Sequence, residues 1–454
     1  MKIIIVGLGK VGQVLAQALA SENHDLIVID LDKDKVNNVV NYFDVNGICG
    51  NGARSDILTQ ADVQNADILI SVTSEDELNI LVGMVSKRLG VKYVIARVRN
   101  PDYSTQAHFF KENFGFSMIA NPEAETAKEI SRLILFPTAN SIECFAGGKV
   151  ELVGIRMTKR SKLNGLPLHQ LSQVSKRSNV LVCAVRRDNE IIIPSGNFVV
   201  QDGDEVYVTG THRDIALFSL DICIVSKSIK NVMIIGGSRV AFYLSKILLA
   251  QGIHVKIIER DQKSCWKLAE ALHEATIIQG DGSDENLLLE ENIEKTDAFV
   301  CLTGMDEENI ILSLLAKQLN VKKVIAKVNS TTMYNAVSKL DIDSTISPKQ
   351  VIANQILGYV RAKVNGDEIS AVQTMYQLVD EQVEALEFIV GSKIKYVGMP
   401  LSQIPIKDGV LVAAILRGTD IIVPKGDTVI ELNDHIVIVV KNRKIAHLND
   451  IFEV

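Results

Sequence analysis

Three glycines in MKIIIVGLGKVG, at positions 7, 9 and 12, and an aspartate at position 30 are the residues of this chain whose types and spacing point to chemistry. Gly7 permits a tight turn from strand to helix, Gly9 lets backbone N–H groups approach a pyrophosphate, and Gly12 lets the helix pack on the strand. The start of that helix adds the positive end of its dipole. Asp30 ends DLIVID, 23 residues after Gly7. A carboxylate there accepts hydrogen bonds from ribose hydroxyls and repels a 2′-phosphate, which favours NAD over NADP. Thr73 and Ser74 follow ADILISV and Arg97 lies in YVIARV, at the carboxyl ends of strands, where open parallel sheets take their ligands. Thr73 reads equally as a ligand contact or as a cap on the helix that TSEDELN opens. Arg97 reads as a phosphate partner or as one half of a surface ion pair.

This is binding chemistry. An NAD-dependent oxidoreductase, the alternative reading, would use the same turn but needs a group that moves the substrate proton. Of the eight histidines, His24 and His254 match across a repeat yet directly precede the second strand of each half, on the wrong end of the sheet, and His435 stands in the place of Glu205. A redox-sensing transcription regulator would need a basic helix-turn-helix, and the sequence offers none.

The elements that must position these residues follow from periodicity. IIIVG, DLIVID, GICG, ADILISV and YVIARV alternate with helical patterns, the first carried by Val11, Leu15, Ala18 and Leu19. That alternation predicts a parallel sheet covered on both faces. A proline opens a further helix in NPEAETAKEISRLIL and in SPKQVIANQILGYVRAK, and this helix is expected to close the parallel-sheet lobe. Beyond it, VELVGIRM, NVLVCAVRR, EIIIP and DEVYVTG read as short strands around one helical segment, LPLHQLSQV, a small α+β lobe. In that lobe Asp202 and Asp204, with Asp434 further on, read as turn residues rather than metal ligands.

The whole arrangement then repeats. Gly7 matches Gly236 and Asp30 matches Glu259 at a spacing of 229, while Gly50 and Gly280, Thr73 and Thr303, and IARV and IAKV match at 230. The predicted fold class is therefore α/β, a tandem repeat of a Rossmann-type, doubly wound parallel-sheet lobe followed by a small α+β lobe. The expected boundaries are 1–135, 140–225, 230–362 and 370–454. In the second turn, NVMIIGGSRVA, Ala241 replaces the third glycine, a variant the fingerprint allows, and Ser238 replaces the second, where a side chain is expected to crowd a pyrophosphate. Arg260 follows Glu259 where Leu31 follows Asp30, free to stack on adenine, to accept a 2′-phosphate or to face solvent. Lys327 takes the place of Arg97. The first turn is expected to bind NAD(H) more tightly, the second more weakly or with preference for another adenine nucleotide.

Composition removes other classes. The 454 residues carry a net charge of −7 without a long basic block, which disfavours nucleic acid. The six cysteines lack metal spacing and read as buried thiols of a reducing cytosol. The N-terminus runs straight into a core strand and no apolar run reaches membrane-spanning length, so a membrane role would be peripheral.

GLGKVG, VIDLD, GNGARSDIL, SVTSEDELNILV and ARVRNP, followed by a small α+β lobe and then the whole order again, resemble the TrkA family, the peripheral NAD-binding subunits of Trk potassium-uptake systems. The resemblance covers essentially the whole chain. It implies tandem RCK units, each with a Rossmann-type N-lobe and a C-lobe, that pair and assemble into rings. It also implies a non-catalytic cytoplasmic protein docked on a membrane-embedded potassium transporter, whose gate responds to NAD(H) or ATP/ADP bound in the N-lobes. The family's nucleotide contacts fall on Gly7, Leu8, Gly9, Lys10, Val11, Asp30, Thr73, Ser74 and Arg97. In the second half they fall on Gly236, Gly237, Ser238, Arg239, Val240 and Glu259.

Overall fold

The computed structural model describes the chain except residues 23, 147–148, 189, 223–228, 331–336, 338–339, 341, 365–371, 380–382, 442–444, 446 and 454. Its first sheet holds β1 (Lys2–Val6), β2 (Asp25–Asp30), β3 (Asn46–Cys49), β4 (Ile68–Ser71), β5 (Tyr93–Arg97) and β6 (Met118–Ala120), in the order β3-β2-β1-β4-β5-β6 with parallel pairing throughout. The β-branched run of β1 makes it the central strand, and Ile3, Ile4 and Ile5 are wholly buried. The intervening helices are α1 (Lys10–Ser21), α2 (Lys33–Phe43), α3 (Ser55–Gln60), α4 (Asp76–Leu89), α5 (Pro101–Ser104), α6 (Ala107–Phe114) and α7 (Pro122–Leu135). α1 buries Val11, Gly12, Leu15, Ala16 and Leu19 against the sheet. Ala18, expected on that face, is only half-buried.

The first half continues with β7 (Ala139–Phe145), β8 (Val150–Arg156), α8 (Leu171–Val174), β9 (Val180–Arg187), β10 (Glu190–Ile192), β11 (Glu205–Gly210) and α9 (His212–Ile222). These strands form an antiparallel sheet in the order β10-β9-β11-β8-β7. The strands read from VELVGIRM, NVLVCAVRR, EIIIP and DEVYVTG are all present, while β7 and α9 are additions that the sequence reading did not include.

In the second half, β12 (Asn231–Ile235), α10 (Arg239–Ala250), β13 (His254–Glu259), α11 (Gln262–Ala271), β14 (Thr276–Gln279), α12 (Glu285–Glu290), β15 (Ala298–Cys301), α13 (Asp306–Gln318), β16 (Lys323–Lys327) and β17 (Ser344–Ile346) rebuild the parallel sheet in the matching order β14-β13-β12-β15-β16-β17. After α14 (Pro348–Val364), strands β18 (Val372–Val379), β19 (Val383–Ile389), β20 (Val410–Arg417), β21 (Asp420–Ile422) and β22 (His435–Lys441) form the second antiparallel sheet, β18-β19-β22-β20-β21.

Two compact units cut across this repeat. One comprises Met1–Lys128 with Ile346–Val360, the other Glu129–Thr345 with Arg361–Val454. The proline-opened helices form where expected, but the helix that accompanies the first parallel sheet is α14, from the second half. Tyr359 of α14 meets Tyr93 of β5 edge to face, with centroids 6.3 Å apart. In the second unit the two antiparallel sheets share one core, with Phe145, Leu152, Ala184 and Tyr207 from the first and Ala385, Ala413, Ala414 and Val437 from the second. Among the described residues, no helix is long and apolar enough to cross a membrane.

Candidate nucleotide-binding site

The turn after β1 is built as its glycines require. Gly7 has φ +100°, a left-handed conformation, and a Cβ there would stand 2.7 Å from the Thr73 backbone nitrogen. A Cβ on Gly12 would lie 1.9 Å from the Gly7 carbonyl oxygen. Gly9 differs. It is the N-cap of α1 with φ −69° and ψ −172°, backbone open to any residue, and among the described residues no atom beyond its chain neighbours comes within 4 Å of where its Cβ would be. Among the described residues no side chain caps α1, which leaves its first N–H groups without the usual acceptor.

Asp30 stands at the end of β2, facing the turn. Its Oδ2 accepts the Leu8 N–H at 2.6 Å and its Oδ1 accepts the Asp32 N–H at 2.9 Å. Each carboxylate oxygen keeps a further lone pair for a ribose hydroxyl. Leu8 and Val11 bury their side chains in the core and present only backbone, whereas Lys10 is exposed.

Across the reversal of strand order between β1 and β4, Thr73 and Arg97 close the other side. Arg97 Nη2 donates to the Thr73 carbonyl at 2.7 Å. The Thr73 hydroxyl donates to Asn79 Oδ1 at 2.8 Å, and the N-cap of α4 is Glu75, so Thr73 is not the capping residue. Ser74 is exposed, and its carbonyl accepts from Arg99. Asn79, Asp76 and Arg99 escaped the sequence reading. The signal available for the first two was the recurrence of DELN as DEEN in the second half.

The second crevice keeps the plan with altered parts. Gly236 has φ +94°, Glu259 Oε2 accepts the Gly237 N–H at 2.6 Å, and Glu259 Oε1 accepts the Asp261 N–H at 2.7 Å. Lys327 Nζ donates to the Leu302 carbonyl at 3.2 Å, and Thr303 is held by Asn309 as Thr73 is by Asn79. Ser238 was expected to obstruct a ligand. Its hydroxyl instead folds back to cap α10, accepting the Ala241 N–H at 3.4 Å. The serine therefore occupies a helix N–H, whereas Gly9 offers α1 no side-chain cap. Arg239 and Arg260 are exposed, Val240 is buried, and the charge of Arg260 helps hold the Asp281 carboxyl below its usual range, after the Ser283 hydrogen bonds.

Other expectations need revision. Cys144, Cys183, Cys265 and Cys301 are buried, and burial pushes the Cys144 thiol up to about 11 and Cys301 up to about 12. Cys49, however, is exposed at the end of β3, and Cys223 lies outside the described residues. Asp204 and Asp434 are more than turn residues: each is 1% exposed and is gripped by a two-pronged arginine, Arg187 and Arg417. Asp202 is an exposed turn residue.

Two Rossmann-type crevices in tandem, each followed by an antiparallel lobe, define the class as a duplicated RCK-type nucleotide-fold protein. In solved structures the chain resembles the GsuK channel bound to NAD, with TM-score 0.64 and 15% identity over 97% of this chain and 77% of that one. It also resembles the GsuK RCK domain, with TM-score 0.63 and 16% identity over 97% of this chain and 92% of that one. The TrkA-N domain matches residues 3–122 and 232–348, and the TrkA-C domain matches 152–220 and 385–453. The Trk system potassium uptake protein TrkA homolog of Archaeoglobus fulgidus is 32% identical over 452 residues, covering 100% of both chains. The TrkA of Haemophilus influenzae is 32% identical over 447 residues, 98% of this chain and 96% of its own. The chain belongs to the TrkA family.

Proposed function

We propose that this chain is a cytoplasmic regulatory subunit that binds NAD(H) in its first Rossmann lobe and gates a membrane-embedded Trk-type potassium transporter at the inner face of the cell membrane. The observation that carries the nucleotide reading is Gly9, a glycine that the backbone does not demand, set at an uncapped helix N-terminus opposite the Asp30 carboxylate. NAD(H) fits these residues. Gly9 and the N–H groups opening α1 would hold its pyrophosphate, and Asp30 its adenosine ribose. Arg97, anchored on the Thr73 carbonyl, brings a cation to the opposite wall. The second crevice keeps the ribose carboxylate but has its helix capped by Ser238, so it binds more weakly or takes ATP/ADP.

The potassium role rests on the relatives, named as Trk system potassium uptake proteins over the full chain length. Regulation requires that nucleotide bind one shape of the assembly better than another, a coupling of about 1–3 kcal/mol per site. A homo-oligomeric ring of these units would sum several such sites.

Calorimetry on the full chain tests the binding claim. Gly9→Asp is expected to lower NAD affinity at least about tenfold, the scale of one lost charge-assisted hydrogen bond plus repulsion, with Ser238→Asp costing less. Equal losses would sink the asymmetry. Co-purification with the transporter, followed by ion flux at varied nucleotide, tests the gating claim, and the absence of association under every nucleotide condition would overturn it.

A further inference from the structure

The first turn of α4 carries two buried polar side chains one turn apart, Asp76 and Asn79, and α13 repeats the pair as Asp306, partly buried, and Asn309, buried. Asn79 is wholly buried. Its Oδ1 accepts from Ser71 Oγ at 2.9 Å and from both the amide and the hydroxyl of Thr73 at 2.8 Å. Its Nδ2 donates to the carbonyls of Thr73 at 3.2 Å and Arg97 at 2.9 Å. Asp76 Oδ2 accepts the amides of Arg99 at 2.9 Å and Asn100 at 2.7 Å. The ladder between β4 and β5 runs from Ile68↔Tyr93 to Ser71↔Ala96. The side-chain ties take over where that pairing stops, at the ends that face the crevice.

The second half repeats the pattern. Asn309 binds the Thr303 amide at 3.0 Å and hydroxyl at 2.8 Å, and the carbonyls of Thr303 at 3.3 Å and Lys327 at 2.9 Å. Asp306 Oδ2 accepts from the amides of Asn329 at 2.8 Å and Ser330 at 2.7 Å. A buried amide that makes five hydrogen bonds fixes its partners more firmly than any one exposed bond, because the surrounding dielectric is low.

We propose that Asn79, assisted by Asp76, is a positioning residue for the part of a dinucleotide that lies beyond the pyrophosphate, on the β4–β5 side of the switch point. This rests on the nucleotide reading of the first crevice. Asp30, on β2, marks the adenosine side. Asn79 acts on the opposite side through Thr73, whose carbonyl holds Arg97. Losing it therefore weakens NAD, which spans both sides, and spares AMP, which needs only the adenosine side.

The test uses the full chain in a Ser238→Asp background that further weakens the second crevice. Asn79→Asp removes both Nδ2 donors and turns a carboxylate oxygen toward two carbonyls. Asn79→Ala removes all five bonds. For both variants, calorimetry is expected to show NAD affinity falling about tenfold or more, the weight of one to two buried hydrogen bonds, and AMP affinity changing less than about twofold. A purely structural residue would shift the unfolding midpoint and move both ligands alike. Equal losses, or an unchanged NAD affinity, would overturn the proposal. Should the variants not fold, hydrogen exchange on the unsubstituted chain decides: NAD is expected to slow exchange at residues 73–75 and 97–100 while AMP leaves it unchanged, and equal protection overturns the assignment. An unsubstituted chain that binds neither NAD nor AMP refutes the nucleotide reading, and this inference with it.

Discussion

A glycine can be present because the backbone needs it or, as proposed for Gly9, because a ligand does. Gly12 is of the first kind, since its Cβ would strike the Gly7 carbonyl oxygen. Gly9 is not: its backbone is extended and a Cβ there would meet no crowding. The second turn bears Ala241 where the first has Gly12, so the two turns differ by more than their side chains. Gly237 replaces Leu8, and Leu268 Cδ1 lies 2.6 Å from where a Gly237 Cβ would stand. Volume has moved from the turn to α11. Gly12→Ala is accordingly expected to destabilise the protein by roughly 1–3 kcal/mol through overpacking against backbone that cannot retreat. Ala241→Gly should cost only about 0.5–1 kcal/mol of helix propensity. Urea denaturation of the two variants checks this, and a Gly12→Ala protein no less stable than Ala241→Gly would disprove it. The glycines, Asp30 and Glu259 were legible in the sequence because their chemistry depends on local spacing. Asn79 was not, because its value comes from two strand ends that only the fold brings to it.

At the scale of elements, most of the β strands and the fingerprint helices were readable from periodicity. The short edge strand β6 was missed along with β7 and α9, and the last two had different causes. ANSIECF of β7 lacks clean alternation, whereas α9 carried a signal in Thr211 and Asp214: the Thr211 hydroxyl accepts the Asp214 amide at 3.1 Å and donates to its carboxylate at 2.6 Å. Which helix accompanies which sheet was invisible, because two repeats of one pattern offer equivalent partners. The structure distinguishes them at one matched position. β5 begins with Tyr93, which meets Tyr359 of α14. β16 begins with Lys323, 1% exposed, whose Nζ donates to the Ala139 carbonyl and to Ser344 Oγ. Ser344 Oγ then donates to the Asn140 carbonyl at 2.9 Å, and the Asn140 amide donates to the Asp343 carbonyl at 2.8 Å. Burial pushes the Lys323 ammonium down to about 8, against the opposing pull of Asp343. The unfolded chain holds that proton up to about pH 10.5. Between about pH 8 and 10.5 the unfolded state thus binds more protons, and the contribution of Lys323 to stability rises with pH. The midpoint of the unsubstituted chain minus that of Lys323→Met is expected to increase from pH 7.5 to pH 10. Other titrating groups cancel in this difference, and a flat difference would remove the buried cation from the account.

At the scale of the whole molecule, duplication has produced two lobes of each kind that fall unequally into the two compact units. The first crevice lies wholly in the unit formed by Met1–Lys128 and Ile346–Val360. The other unit contains the second crevice and both antiparallel sheets, whose shared core is lined with small residues, Ala184, Ala385, Ala413 and Ala414, that let the sheets approach closely. Polar ties reinforce that core: the Ala146 amide donates to Glu387 Oε2 at 2.9 Å, while Glu387 Oε1 meets His435 Nδ1 at 2.7 Å. If the pair of antiparallel lobes carries the response to nucleotide rather than the nucleotide itself, wedging it apart must separate binding from gating. Ala414→Phe adds a ring to a site with no exposed surface, at an expected cost of roughly 1–3 kcal/mol. Its NAD affinity at the first crevice should stay within about twofold of the unsubstituted chain, because none of the residues lining that crevice belongs to the wedged core. The change in potassium flux that NAD produces through the associated transporter should be lost, since a ligand shifts a gate only through a difference in binding between two shapes. Calorimetry and flux on the same preparation decide the matter, and an Ala414→Phe subunit whose flux still follows NAD would show that the antiparallel core is not part of the coupling.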